Sequence, residues 1–189
     1  KGPQIAVEIF NKIHTERKDV NFKIIGTGPL ENELRLKGNK NTEVIHKEYG
    51  FLLKLDPKKT YFSSRESTER QRIASSIKPN ESILVMFSGI CPFAIAIEKR
   101  QPRVKEIIAI EINPKAHKYA QENLILNKTK KIKLYNGDVK KILPTIKNKF
   151  DRIVMPLPKG AYSYLNLAYK KIKKQGIVHF YYWAHEKDL

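Results

Sequence analysis

The sequence has few of the features that indicate an exported or membrane-bound protein. Cys91 is the only cysteine, so an intrachain disulfide framework and a cysteine zinc cluster are both excluded. No apolar run is long enough to cross a membrane, and there is no signal-peptide pattern. These absences fit a reducing compartment, and we expect a cytoplasmic protein with no membrane partner.

Acidic residues are also scarce. The 189 residues include 37 Lys and Arg but only 19 Asp and Glu, which gives a formal net charge of +18 at pH 7. Such an excess repels itself in the compact state, so it favours a polyanionic partner. A lysine-rich composition without such a partner is the alternative, and charge alone does not decide between the two.

The length and the 41% hydrophobic content fit one ordinary domain, or one domain with a small attachment. The chain begins at Lys1 rather than at Met, and it stops at Leu189 just after a strand-like run. Both ends look cut, so we expect a core that is truncated at its C-terminus. We expect this fragment to be a monomer.

Two segments precede the main pattern. Residues 1–36 predict a helix, with apolar residues at helical spacing, followed by a strand and a Gly-Pro turn. Residues 37–64 are β-rich, with two alternating runs on either side of Gly50. They predict an antiparallel hairpin or a small sheet.

From Arg65 onward, strands and helices alternate. Ser67 or Thr68 is expected to cap a first helix that runs through Ile77. The later segments read as strands at 83–87, 106–111, 131–135, 151–155 and 177–182, and as helices at 93–99, 114–126, 139–146 and 161–172. This order predicts an α/β fold of Rossmann-like type, with a parallel sheet, helices on both faces and a ligand along one sheet edge.

The first strand of this pattern runs into a turn of mostly small residues that contains Phe87, Gly89 and Cys91. A glycine lets the backbone approach a nucleotide-like cofactor closely, and the N-terminus of the next helix offers free N–H groups. An ordinary strand-to-helix turn is the alternative.

Acidic residues mark the ends of the second and third strands. Glu111 ends the second strand, where a carboxylate can accept hydrogen bonds from both hydroxyls of a ribose. Asp138 follows the third strand, and it can accept from an adenine amino group, cap the next helix, or do both. A turn and two acids at successive strand ends are more specific together than apart.

Two prolines, Pro156 and Pro158, follow the fourth strand in the run Met-Pro-Leu-Pro-Lys. They remove backbone donors and stiffen the loop, so its carbonyl groups can accept from a substrate amine. A stiff loop without such a contact is the alternative.

Several runs resemble the archaeal and eukaryotic tRNA (guanine-37-N1)-methyltransferases. They are His46-Lys47-Glu48-Tyr49-Gly50, Tyr61-Phe62-Ser63-Ser64-Arg65, Glu69-Arg70 and the four strand ends, which follow in family order. The resemblance covers about residues 40–189. It implies a Rossmann-like class I core that binds S-adenosyl-L-methionine and transfers its methyl group to N1 of guanosine 37 of tRNA.

The resemblance also implies catalytic roles. Glu69 corresponds to the general base that takes the guanine N1 proton, and Arg65 steadies the base or the developing charge. Tyr61 lines the pocket, and Pro156 lies in the loop beside it. Guanine N1 is a poor nucleophile until its proton leaves, so a carboxylate near N1 and a cation near O6 suit the reaction. Without the resemblance, Glu69 and Arg70 read as a surface charge cluster.

In the cofactor site, the resemblance assigns Glu111 to the ribose and Asp138 to the adenine. The remaining expected cofactor contacts come from the first and fourth strand ends: Phe87, Gly89, Cys91 and Pro158.

The sequence departs from the family pattern at several positions. Val85 stands where the family usually has Asp, and Cys91 stands where it has a second Gly, so we expect the Cys91 side chain to crowd the methionine moiety and Cys91→Gly to raise cofactor affinity. Pro156 replaces an Asn. The family also has an Arg before the His46 run, for which Arg35 is the nearest residue.

Residues 1–36 resemble a different family, the nucleotide-sugar half of GT-B glycosyltransferases, and they lack its downstream acidic donor-binding motif. This segment indicates a fusion or a junction of two reading frames, and a chance helix and strand is the alternative. The three expected regions are therefore residues 1–36, the β-rich segment 37–64 on the RNA side, and the methyltransferase core 65–189.

Two further readings stay open beside methyl transfer to tRNA. One is transfer of the aminocarboxypropyl group of the same cofactor to the tricyclic base at the same tRNA position. The other is a degenerate RNA-binding module without activity, which the departures at Val85, Cys91 and Pro156 would allow. Tyr61, Arg65 and the Pro-Leu-Pro loop favour methyl transfer.

Overall fold

The computed structural model of the chain describes residues 42–157 and 160–181. The segment 1–36 and Pro158 lie outside the described residues. The chain divides into two compact units, and the larger one contains residues 45–55 and everything described from Lys59 onward. In the smaller unit, the Thr42 hydroxyl donates to the Asp56 carboxylate at 2.7 Å, and the Lys58 amide donates to the same carboxylate oxygen at 3.0 Å.

The larger unit is an α/β structure with a five-stranded parallel sheet, as the alternating pattern predicts. Its strands are β3 (Ser82–Met86), β4 (Glu106–Glu111), β5 (Ile132–Asn136), β6 (Phe150–Met155) and β7 (Ile172–Phe180). Its helices are α1 (Ser67–Ser76), α2 (Pro92–Arg100), α3 (Pro114–Leu126), α4 (Val139–Ile142) and α5 (Leu165–Lys171). The strand order across the sheet is β5-β4-β3-β6-β7.

The central strand β3 is buried along its whole length, as its continuous apolar run predicts. Leu84 and Met86 belong to a core cluster that includes residues of α4 and α5. Ile83 and Val85 alternate to the opposite face and are also fully buried. Both faces of the sheet are therefore covered.

A short hairpin precedes the sheet, with strands β1 (Val44–Glu48) and β2 (Phe51–Leu55) joined at Tyr49 and Gly50. Two buried amide side chains, one in α3 and one at its C-cap, hydrogen-bond the backbone of β2. Asn123 accepts from the Lys54 amide at 2.6 Å and donates to its carbonyl group at 3.0 Å, and Asn127 makes the same pair of bonds to Leu52 at 2.9 and 2.6 Å. These bonds satisfy polar backbone groups that would otherwise be buried without partners.

Several boundaries differ from the sequence prediction, and the predicted helix 161–172 is a 3₁₀ turn at Ala161–Tyr164 followed by α5. The helix α1 begins at Ser67, after a 3₁₀ turn at Ser64–Glu66, and no side chain in the described part of the chain caps it. The predicted helix 139–146 is one short α-helix followed by a 3₁₀ turn at Leu143–Thr145. Strand β7 starts earlier than predicted, at Ile172, because an irregularity in its pairing with β6 accommodates extra residues.

No helix among residues 42–157 and 160–181 is long and apolar enough to span a membrane.

Candidate active site

The predicted strand-end residues lie at one edge of the sheet. All five strands are parallel, so their carboxyl ends share the same side, and ligands of open α/β sheets bind there. Phe87 follows β3, Glu111 ends β4, Asp138 follows β5, and Pro156 follows β6.

The turn after β3 holds a strained backbone. Phe87, Gly89 and Cys91 have φ values of 56°, 55° and 72°, in the left-handed region that non-glycine residues rarely adopt. The Ser88 amide donates to the Ile110 carbonyl group at 2.9 Å, and the Cys91 amide donates to the Ser88 carbonyl group at 2.9 Å. Such strain persists only where surrounding contacts impose it, and it is common at ligand-binding turns.

Glu111 connects this turn to the start of α3. It is 8% exposed, and its Oε2 and Oε1 accept from the Gly89 and Asn113 amides, each at 2.7 Å. Each carboxylate oxygen has a further lone pair, so the group can still accept hydrogen bonds from two neighbouring hydroxyls of a ligand.

The loop after β5 is attached to the same place. Asp138 caps α4, since its Oδ1 accepts from the Lys140 amide at 2.8 Å, as one of the two sequence alternatives predicts. The Gly137 amide and the Asn136 side chain both donate to the Glu111 carbonyl oxygen at 2.8 Å. The half-buried Asp138 therefore lies in a loop that is bonded directly to the Glu111 backbone.

Cys91 corrects one expectation. Its side chain is fully buried, and burial, followed by the charge of Glu111, raises the pKa of its thiol, which therefore stays protonated. A side chain that solvent does not reach does not line an open cleft, so its burial argues against the expected crowding of the cofactor by this residue. We consequently do not expect Cys91→Gly to raise cofactor affinity.

Glu69 lies on α1 and already holds three hydrogen-bond donors. The Arg72 guanidinium donates in bidentate fashion, from Nε at 2.6 Å and Nη2 at 2.7 Å, and the Tyr181 hydroxyl donates to Oε1 at 2.6 Å. The hydrogen bond from Arg72 is the largest cause of a lowered pKa for this carboxyl, and Tyr181 adds to it against the effect of partial burial. Glu69 is therefore a charged carboxylate.

Tyr181 brings Glu69 to the edge where Pro156 lies. Phe180 pairs with Met155 in the β6–β7 register, so the next residues, Tyr181 and Pro156, leave the sheet side by side. The Tyr181 ring also packs at 6.4 Å from the ring of Phe93, in the first turn of α2.

Tyr61 and Arg65 present their side chains to solvent. The Tyr61 side chain is 76% exposed. A Cβ atom placed on Gly89 would lie 3.9 Å from the Tyr61 carbonyl oxygen, so the Tyr61 segment passes over the turn after β3. Arg65 is exposed in the 3₁₀ turn, and among the described residues it makes no ion pair with Glu69, which pairs with Arg72 instead.

Arg70 is a buried charge and not part of a surface cluster. It is 1% exposed and donates to Glu48 in bidentate fashion, from Nε at 2.8 Å and from Nη2 at 2.5 Å. Its guanidinium also lies over the rings of Phe62 and Phe93, at 5.1 and 5.9 Å. One buried ion pair thus connects the His46 run to the helix of Glu69, so part of this motif is structural.

The chain matches the family described as the TRM5/TYW2 methyltransferase domain over residues 44–189. The chain belongs to this family.

Two relatives illustrate the breadth of the TRM5/TYW2 family. The tRNA (guanine(37)-N(1))-methyltransferase Trm5b of Pyrococcus abyssi is 36% identical, and the match covers 97% of this chain and 55% of the relative. The tRNA(Phe) (4-demethylwyosine(37)-C(7)) aminocarboxypropyltransferase of Methanocaldococcus jannaschii is 35% identical, with 79% and 59% covered.

Solved structures agree with the fold. The crystal structure of Trm5b from Pyrococcus abyssi superposes with a TM-score of 0.73 at 40% identity, covering 80% of this chain and 44% of that one. The structure of M. jannaschii TYW2 in complex with AdoMet gives 0.71 at 34% identity, covering 79% and 67%. The present chain spans about half the length of its Trm5b relative.

Sequence reasoning missed three residues that lie beside the predicted site residues. Arg72 could have been found, because it stands three positions after Glu69 on one helix. Tyr181 carries no local signal, since 112 residues separate it from Glu69. Ser88 has a buried hydroxyl without a partner among the described residues, which is where a ligand or a water is expected to bind.

Proposed function

We propose that this chain transfers the methyl group of S-adenosyl-L-methionine to N1 of guanosine 37 in tRNA. The observation that carries the proposal is the Glu69 carboxylate, held by Tyr181 at the sheet edge that also bears Glu111 and Asp138. The Trm5b relative, named for this reaction, supports it. We further propose that the chain acts in the cytoplasm, binds RNA and is a monomer.

The residues at the edge suit the cofactor. Glu111 would accept from the two ribose hydroxyls with the lone pairs that Gly89 and Asn113 leave free. Asp138 would accept from the adenine amino group through the carboxylate oxygen that does not cap α4. The TYW2 structure in complex with AdoMet supports the choice of cofactor. When bound, the cofactor supplies an electrophilic methyl group on a sulfonium.

The catalytic residues then act on the guanine. Glu69 accepts the N1 proton as the bond from N1 to the methyl carbon forms and the carbon–sulfur bond breaks, so the positive charge of the sulfonium is lost and one proton is gained by the enzyme. The exposed Arg65 stabilises the negative charge that develops on O6. The exposed Tyr61 side chain lines the pocket of the guanine base, and the Pro156 carbonyl group accepts a hydrogen bond from the guanine amino group.

The direct test is single-turnover methyl transfer to tRNA transcripts. With S-adenosylmethionine labelled in the methyl group, we expect label in transcripts with guanosine at position 37 and none in transcripts with adenosine there. Nucleoside analysis should identify 1-methylguanosine. Cofactor labelled in the aminocarboxypropyl group, incubated with tRNA that carries the tricyclic base at position 37, provides the control, because label from that group in the tRNA would support the reaction for which the M. jannaschii relative is named. No transfer of either label would contradict both reactions and favour the RNA-binding module.

Glu111→Ala is expected to weaken S-adenosylmethionine binding by about 1–3 kcal/mol, because the cofactor would lose hydrogen bonds to a buried carboxylate. Isothermal titration calorimetry measures this change. Glu106→Ala is a matched control, since Glu106 begins the same strand at the opposite end. Equal affinities for the parent and the Glu111 variant would show that Glu111 does not bind the cofactor.

Binding to tRNA is expected to depend steeply on salt, because a chain of net charge +18 would release counterions from phosphates. We expect the affinity to fall about 10-fold or more between roughly 50 and 200 mM salt. Filter binding measures this, with S-adenosylmethionine affinity at the same salt concentrations as the control. A flat response would indicate that the lysines are only compositional.

A further inference from the structure

The Glu69 carboxylate already accepts three hydrogen bonds before any substrate binds. Oε1 receives the Tyr181 hydroxyl at 2.6 Å and Arg72 Nη2 at 2.7 Å, and Oε2 receives Arg72 Nε at 2.6 Å. Oε1 has no lone pair left and Oε2 has one, and the ion pair with Arg72 stabilises the anion, so protonation of Oε2 is disfavoured while Arg72 stays in place.

We propose that Tyr181 is a positioning residue for Glu69, and that Arg72 is a resting partner that must leave before Oε2 accepts the guanine N1 proton. This inference rests on the proposed function, because it takes Glu69 to be the general base of the methyl transfer.

Tyr181 is suited to remain in place. Its ring is half buried against Phe93, and its hydroxyl is bonded at the sheet edge beside Pro156. Burial and the neighbouring Glu69 raise the pKa of this hydroxyl, so it stays protonated and acts as a donor rather than as a base. The Tyr181 bond therefore holds Oε1 and leaves Oε2 as the proton acceptor.

Arg72 is suited to leave. Its side chain is 62% exposed, and its ion pair with Glu69 joins residues three apart on one helix. Exposed pairs of this kind contribute little to stability, because water solvates both ions when they separate. A guanine that brings its N1–H group to Oε2 would replace the Arg72 Nε donor.

Among the described residues, four titratable or charged groups face Glu69. Arg72 and Tyr181 donate to it, Glu66 interacts with it through space, and His179 lies on β7. Burial, with Arg152 and Arg72 nearby, lowers the pKa of His179 to about 4, so this imidazole is neutral over the pH range of a tRNA assay. Because the pKa of Glu69 is lowered as well, both groups titrate in the acidic range, and the acid limb is assigned to Glu69 by its loss from the residual rate of the Glu69→Gln variant.

Tyr181→Phe tests the positioning role. Loss of the hydroxyl removes a donor that lowers the pKa of Glu69, so the acid limb of single-turnover methyl transfer should move to higher pH. The rate at neutral pH should fall on the order of 10–100-fold, because the carboxylate is no longer held in position. The affinity for S-adenosylmethionine should not change. Tyr169→Phe is the matched control, because Tyr169 is 79% exposed on α5.

Arg72→Gln should behave differently. It also raises the pKa of Glu69, yet the rate at neutral pH should equal or exceed that of the parent, because no resting partner has to be displaced. Arg100→Gln, at the exposed end of α2, is the control.

The outcomes separate this inference from the proposed function. A parent chain that does not methylate tRNA, or a Glu69→Gln variant as fast as its parent, overturns the function and the inference together. An active parent with a slow Glu69→Gln variant leaves the function intact. In that case a Tyr181→Phe variant with the parental rate and pH profile overturns the positioning role, as does a parallel loss of cofactor affinity. An Arg72→Gln variant as slow as Tyr181→Phe overturns the resting role of Arg72.

Discussion

Glu69→Gln is expected to slow single-turnover methyl transfer about 10²–10⁴-fold, the usual contribution of a general base. Glutamine keeps the shape of the side chain but cannot take the N1 proton. Affinity for S-adenosylmethionine should stay at the parental value, because the proposed cofactor contacts are made by Glu111 and Asp138 at the ends of β4 and β5. Rapid-quench measurement with labelled cofactor tests both statements.

Two further variants sharpen this prediction. Arg65→Ala should also lower the rate. The loss in the Glu69→Gln and Arg65→Ala double variant should be smaller than the two single losses combined, because both residues act on one proton transfer. Glu122→Gln is the control, since Glu122 of α3 is likewise a glutamate in an ion pair, with Lys54 of β2 at 2.9 Å. A Glu69→Gln rate within about twofold of the parent would show that Glu69 is not the general base and only forms a surface ion pair with Arg72.

Arg70→Met is expected to lower the free energy of unfolding by about 3–5 kcal/mol, the cost of leaving one partner of a buried ion pair without its counterion. Glu48 would remain as a buried carboxylate that has lost the two donors of Arg70. Urea denaturation followed by circular dichroism measures the loss.

The matched control removes a lysine from a surface pair. Lys133 donates to Glu106 at 3.3 Å with an exposed side chain, so Lys133→Met should cost no more than about 1 kcal/mol. Replacing both members of the buried pair, as Glu48→Leu with Arg70→Met, should restore much of the lost stability, because no unpaired charge remains. If Arg70→Met were as stable as Lys133→Met, the Glu48–Arg70 pair would not support the fold.

The fold could be predicted from local sequence because its signals are local. The continuous apolar run of β3 and the regular alternation of strands and helices both indicate a buried parallel sheet. In such a sheet the carboxyl ends of the strands share one edge, so the common location of Gly89, Glu111 and Asp138 followed from topology alone. The bounds of β4 and α3 agree with the prediction for the same reason.

The irregular elements could not be predicted in the same way. The early start of β7 depends on an irregular pairing with β6, and that pairing is a property of two strands rather than of one. The 3₁₀ turns at Ser64–Glu66 and Leu143–Thr145 likewise carry no periodic signal that separates them from the adjoining helices.

By itself, the sequence determined the parallel sheet, its ligand edge and the membership in the TRM5/TYW2 family, because hydrophobic periodicity and short motifs are written in neighbouring residues. Only the tertiary structure decided which charges are buried and which side chains meet. Arg70 pairs with Glu48 across 22 positions, and Tyr181 reaches Glu69 across 112. Such contacts form when distant segments pack, so neither partner's sequence neighbourhood reveals the other. The same packing buries the Cys91 thiol, which the motif alone had placed against the cofactor.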